Sequence, residues 1–156
     1  MVRNLGILLL VAIGVLILIQ FVPYGHDHTN PPVVQEPNWD SPETRSLAKT
    51  ACFDCHSNET VWPAYASVAP ASWLVAHDVE EGRSKLNFSE WNRPYEEADE
   101  AAEKVERGEM PPAQYKLMHA EARLSNADRE ALIAGLQATL GVGQGERSEG
   151  GERGDE

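Results

Sequence analysis

Hydrophobic and polar positions divide this chain into blocks of different periodicity. Leu5 to Val22 is apolar apart from Gly6, Gly14 and Gln20, with no polar stripe along it. A run of that length predicts a helix crossing a bilayer core, with Arg3 on the cytoplasmic side. A cleaved leader would have a shorter apolar stretch followed by a small-x-small site, and Gln20-Phe21-Val22-Pro23-Tyr24 offers none. Residues 1–23 therefore read as an uncleaved membrane anchor, with the rest of the chain exported.

Residues 24–37 contain Gly25, Asn30, Pro31, Pro32 and Pro37, which favour an extended tether over regular structure. His26 and His28 lie there as polar spacer, since two histidines alone fall short of a metal ligand set. Helical signals begin at Ser41, an N-cap with Pro42 at the first helical position and Glu43 in the first turn. A second helix is predicted over 71–81 with Gly82 as its stop. A third, over 94–107, is amphipathic through Ala98, Ala101, Ala102 and Val105 and ends at Gly108. The last is capped by Ser125, with Asp128 at its third position and Leu132, Ile133, Leu136 and Leu140 at helical spacing up to Gly141. Residues 38–141 show no strand alternation. The expected fold is all-α: a small helical domain over 38–141, preceded by a transmembrane helix. Residues 142–156 read as a disordered acidic tail.

Composition narrows the function. A net charge of −12 over 156 residues argues against nucleic acid and suits a basic partner. No Ser/His/Asp arrangement, Gly-rich phosphate loop or clustered carboxylate site appears.

The chemistry is concentrated in Cys52-Phe53-Asp54-Cys55-His56, which reads C-x-x-C-H, the attachment signature of c-type haem. Two thiols about one helical turn apart reach the two vinyl groups of one porphyrin. The histidine after the second thiol is carried under the ring, to an axial position on iron. Both cysteines of the chain are used in this motif. A structural zinc site would need a second ligand pair, and no second C-x-x-C exists. A thioredoxin-like dithiol would sit in a βαβ pattern, which is absent. The cofactor expected is one covalent haem c, held through Cys52 and Cys55 with His56 as proximal ligand. Attachment of this kind takes place outside the cytoplasm in bacteria, which places the haem domain in the periplasm, beyond a single-pass anchor in the inner membrane.

About a hundred residues make a marginal helical core, and a buried porphyrin supplies the missing apolar bulk. Trp39, Trp62, Trp73 and Trp91 all lie in this region, as haem walls or as ordinary helix packing. For the distal iron ligand we favour Met110, which follows the Gly108 stop and precedes Pro111 and Pro112, whose fixed backbone lowers the entropy lost in holding a long side chain. His77, which shares a helix face with Trp73, and His119 are the alternatives. Met118 falls in a run where an apolar side chain usually belongs to the core.

Beyond the pentapeptide, the stretches Cys52 to Thr60, Trp62-Pro63-Ala64-Tyr65, Val68 to Trp73, Leu86 to Trp91 and Gly108 to Pro112 resemble a bacterial cytochrome-c-like family called the haem-binding domain. The likeness covers roughly Asn30 to Leu140. It implies a cytochrome-c-like helical domain with one covalent haem, in a family often membrane-anchored or fused to other redox domains, and no defined reaction. Ala120 stands where a proline is expected after His119.

Two readings of function follow. The first is an electron carrier with both axial positions filled, no catalytic residues, and the redox proteins of a respiratory chain and the haem-attachment machinery as partners. The second is a peroxidase-like enzyme or a sensor of gases or redox state, with an exchangeable sixth ligand near His77 or His119.

Overall fold

The computed structural model describes residues 2–141. The expected acidic tail, 142–156, lies outside them. Seven α-helices follow in order: α1 (Val2–Ile19), α2 (Pro42–Ala51), α3 (Phe53–His56), α4 (Ala71–Lys85), α5 (Ala101–Glu106), α6 (Ala113–Met118) and α7 (Asn126–Leu140). Short 3-10 turns lie at Ala64–Ser67 and Ala120–Ala122. Among the described residues there is no strand, only an isolated parallel bridge between Gln35 and Glu90.

The expected transmembrane helix is corrected. A helix forms at Val2–Ile19, but among the described residues no helix is long and apolar enough to cross a membrane. The apolar run and the helix are not the same segment. After Ile19 the chain leaves α-helical pairing, with Gln20, Phe21 and Val22 bonding back only three residues. The Gln20 amide then binds the domain, donating to the Ala69 carbonyl at 3.0 Å and accepting from the Ala69 N–H at 2.9 Å. Arg3 and Asn4 occupy the first turn. At ~1.5 Å per residue, the wholly apolar part spans about 22 Å, short of a ~30 Å hydrocarbon core.

Residues 24–37 are extended, as their prolines require, and they are laid across the domain. Val34 and Gln35 donate to the Ser89 carbonyl at 2.8 and 3.0 Å, and the Asn30 amide donates to the Thr60 carbonyl at 2.9 Å. Asn58 donates to the Pro32 carbonyl at 2.9 Å. Gly25, in the left-handed region at φ 79°, passes so close to α4 that a Cβ would meet the Ser72 carbonyl oxygen at 2.6 Å. His28 stacks on Trp62 with ring centroids 4.6 Å apart, so its ring serves packing.

The core lies where α7 meets α2 and α5. Phe53, Phe88, Leu132, Leu136 and Leu140 are almost fully buried, with Ala48, Ala98 and Val105 between them. Ser41 caps α2 by accepting from the Thr44 N–H at 3.1 Å, and Ser125 caps α7 by accepting from Asp128 N–H at 3.1 Å. Two helices differ from expectation. Gly82 does not stop α4, which continues to Lys85. The third predicted helix is confined to Ala101–Glu106, because the residues ahead of it form successive turns that bury Tyr95 and Ala98 in the core.

Candidate haem site

Cys52 interrupts the backbone between α2 and α3, with φ −127° and ψ −35°. The motif then closes its own turn: Cys55 and His56 both donate to the Cys52 carbonyl, at 3.2 and 2.9 Å. The two intervening residues have separate tasks. Phe53 is 1% exposed and stacks on Phe88, fixing the turn to the core. Asp54 faces away, accepting from the Val61 N–H at 3.0 Å and the Tyr115 hydroxyl at 2.7 Å. Cys52, Cys55 and His56 are left to face a cavity of about 530 Å³, within the usual range for small-molecule sites.

Buried polar groups hold the far side of this turn. The Phe88 N–H donates to the His56 carbonyl at 2.8 Å, and Asn58 N–H to Ser89 Oγ at 2.9 Å. Asn87 donates to Asn58 Oδ1 and accepts from Ser89 N–H, both at 2.9 Å. Arg83 donates to the Ser57 carbonyl at 2.8 Å and to Asn30 Oδ1 and Thr60 Oγ1 at 2.9 Å, tying the motif to the extended segment. Gly82 allows α4 to approach: a Cβ there would meet the Cys55 carbonyl oxygen at 2.5 Å. None of these residues carried a site role in the sequence. The Leu86 to Trp91 block counts in the sequence only toward the family resemblance, with no role for Asn87 or Ser89.

His56 Nδ1 lies 3.0 Å from the Leu86 carbonyl. Donation to that oxygen fixes the tautomer and leaves Nε2 as the free nitrogen. Burial lowers the imidazole's pKa, favouring the neutral form that ligates metal. Burial likewise pushes both thiols up to about 12, with Asp78 and Asp54 adding to the effect at Cys55. They are therefore neutral thiols, unlike the low-pKa thiolate of a redox dithiol. Among the described residues no group of three or more His, Cys, Asp or Glu could hold a metal ion, which leaves the zinc reading without ligands.

Met110 borders the same cavity as the motif. Gly108, at φ 73°, reverses the chain, and the N–H groups of Glu109 and Met110 both donate to the Lys104 carbonyl, at 3.0 and 3.1 Å. This brings Met110 back over the end of α5, half-buried against the core. The two alternatives lie elsewhere. His77 is exposed and sits 3.5 Å from Glu81. His119 borders a second cavity, of about 340 Å³, where Nε2 lies 2.9 Å from the Tyr65 hydroxyl and the ring stacks on Tyr115. Met118 borders that second cavity and is 60% exposed, outside the core expected for it. No tryptophan lines the first cavity; its aromatic walls are Phe88 and Tyr115.

The donor set fits haem. One cavity collects two neutral thiols, an oriented imidazole and a thioether, between the apolar side chains of Ala51, Leu86, Val105 and Leu136. No curated protein and no solved structure matches the chain. The family model described as the haem-binding domain matches residues 14–138. With most of its length matched, the chain belongs to the haem-binding domain family and is a haem-binding protein.

Proposed function

We propose that the chain is a monohaem c-type cytochrome that carries electrons outside the cytoplasm. The observation that carries this reading is the shared cavity of Cys52, Cys55, His56 and Met110, whose lining includes neither His77 nor His119, although Cys55 also borders the cavity of His119. Bound haem supplies a one-electron iron couple, and the residues around it hold, orient and shield it. Cys52 and Cys55 would hold the haem covalently, each S–H adding across one vinyl double bond to give a thioether, with reduced thiols presented to the exported attachment machinery. His56 presents Nε2 because Leu86 holds Nδ1. Met110, between α5 and α6, would offer a soft thioether, which raises the potential relative to a second histidine.

A carrier would need the iron's ligands supplied by the protein, here His56 and Met110, and water kept out. The Tyr115 hydroxyl, on the wall of the cavity, is committed to Asp54 at 2.7 Å, and burial together with that bond raises its pKa. The acidic surface, with net charge −12, suits a basic redox partner of a respiratory chain.

Two measurements on the full chain test the proposal. Denaturing electrophoresis with haem staining is expected to colour the band, and extraction of the pigment by acidic acetone would remove the thioether assignment. The reduced protein's optical spectrum is expected to be low-spin and indifferent to carbon monoxide. A spectrum that shifts with the gas would replace the carrier by a protein with an exchangeable sixth ligand.

A further inference from the structure

On the wall of the cavity a carboxylate is already held between two lysines. Glu97 accepts from Lys85 Nζ at 2.6 Å through Oε1 and from Lys104 Nζ at 2.7 Å through Oε2. Lys104 also lies 3.2 Å from Glu100. Lys85, Glu97 and Lys104 all border the cavity, and they come from separate parts of the chain: the last residue of α4, the turns before α5, and α5 itself. An ammonium has three N–H donors. Among the described partners, Glu97 occupies one donor of Lys85, and Glu97 and Glu100 occupy two of Lys104. Both lysines retain donors for a further anion.

Their place in the chain matters, since Lys104 lies on α5, the helix that leads to Met110. Lys85 also immediately precedes Leu86, whose carbonyl holds His56. A haem carries its vinyl groups and its two propionates on opposite edges of the ring. With the vinyls held at Cys52 and Cys55, the propionates would be left to the side chains elsewhere on the cavity wall, where Lys85 and Lys104 are the cations.

We propose that Lys85 and Lys104 form a carboxylate-binding part of this cavity's wall and take the haem propionates, with Glu97 holding the two ammonium groups in position. The proposal rests on the reading that haem occupies the cavity and adds the groups that orient it there. No covalent step is involved.

The test separates the two ideas. The full chain carrying Cys52→Ala and Cys55→Ala, so that attachment cannot intervene, is titrated with ferric haem and with its dimethyl ester, in which both propionates are capped. Haem is expected to bind about tenfold or more tightly than the ester, as two charge-assisted hydrogen bonds would give. Adding Lys85→Met and Lys104→Met is expected to abolish that preference, and Lys85→Arg with Lys104→Arg to retain most of it. Circular dichroism checks the helices. Should the double Met chain unfold, Lys85→Met alone decides, since that side chain is 52% exposed and Glu97 keeps Lys104. Its preference must fall severalfold. Equal binding of haem and ester, or a preference unchanged by losing the lysines, overturns the lysine assignment and leaves the haem cavity standing. Failure to bind either compound overturns the cavity reading, and the proposal with it.

Discussion

The two walls of the cavity are built differently. The wall carrying Cys52, Cys55 and His56 is backed by Ser57, Asn58, Asn87 and Ser89, each at most 3% exposed and each hydrogen-bonded. The wall carrying Met110 continues into α6, which has no buried residue and no side-chain cap, and exposes Leu117 and Met118 at 77% and 60%. Tyr115, through Asp54, is its hydrogen-bonded side-chain tie to the motif. Polar groups that cannot be left unpaired in a dry interior specify one arrangement, whereas an exposed short helix held by few bonds tolerates several. The histidine wall is built to be rigid before haem arrives. The methionine wall is the part that yields.

The largest effect that follows is at the thiols. Cys52→Ala with Cys55→Ala is expected to remove all haem stain from the denatured band, whereas changes on the Met110 wall leave the stain in place. Loss of stain in Met110→Ala would abolish the distinction between the walls.

Next is the buried network. Asn87→Ala leaves Asn58 Oδ1 and Ser89 N–H without their partner, at about 1–3 kcal/mol for each buried group. Chemical denaturation of the loaded protein is expected to show a loss of several kcal/mol. A loss below about 1 kcal/mol would mean that water replaces Asn87 and that the wall is softer than its burial suggests.

Met110→Ala is expected to act on the iron more than on the fold. The side chain is partly buried against the core, so stability falls by about 1–2 kcal/mol, less than for a fully buried methionine. The sulfur-to-iron absorption band of the oxidised spectrum should vanish and the potential should fall. Retention of both would assign the sixth position to another side chain.

The legibility of the two walls in the sequence follows the same division. The motif was readable because cysteine and histidine at that spacing have few other uses. The ends of α2 and α7 were readable because Ser41 and Ser125 satisfy orphan N–H groups locally. Gly108 is a helix end in both sequence and structure, since the chain there needs φ 73°. Gly82 has the same residue type and the opposite meaning: it lies inside α4 because the Cys55 carbonyl leaves no room for a Cβ. Local sequence cannot separate these cases, because the second depends on a neighbour 27 positions away in the chain. The same limit hid Asn87, whose partners come from another segment. The apolar run before Val22 predicted a span that the helix, ending at Ile19 with Gln20 bound to Ala69, does not supply.

The smallest expected effect lies at Glu97, where the walls are joined: Lys85 comes from the helix that supports His56, and Lys104 from the helix that leads to Met110. Bonds from Lys104 and then Lys85 lower the Glu97 carboxyl to about 2, from an ordinary value of 4.5. A group whose pKa is depressed on folding contributes stability above its unfolded value and loses it as pH falls through the folded one. The clamp is therefore complete above pH ~4.5 and lost progressively toward pH ~2. Because these side chains stay partly exposed to solvent, the contribution is small and weakens with salt. Glu97→Gln is expected to lower stability slightly at pH 7 and to flatten its decline between pH 5 and 2 in low salt. Fluorescence of a label at Leu117 should show the methionine wall loosening at higher pH in that variant, with His56 coordination still intact in the spectrum. Simultaneous loss of both signals would mean that the two walls unfold as one unit, and that the contrast in their burial does not become a contrast in their motion.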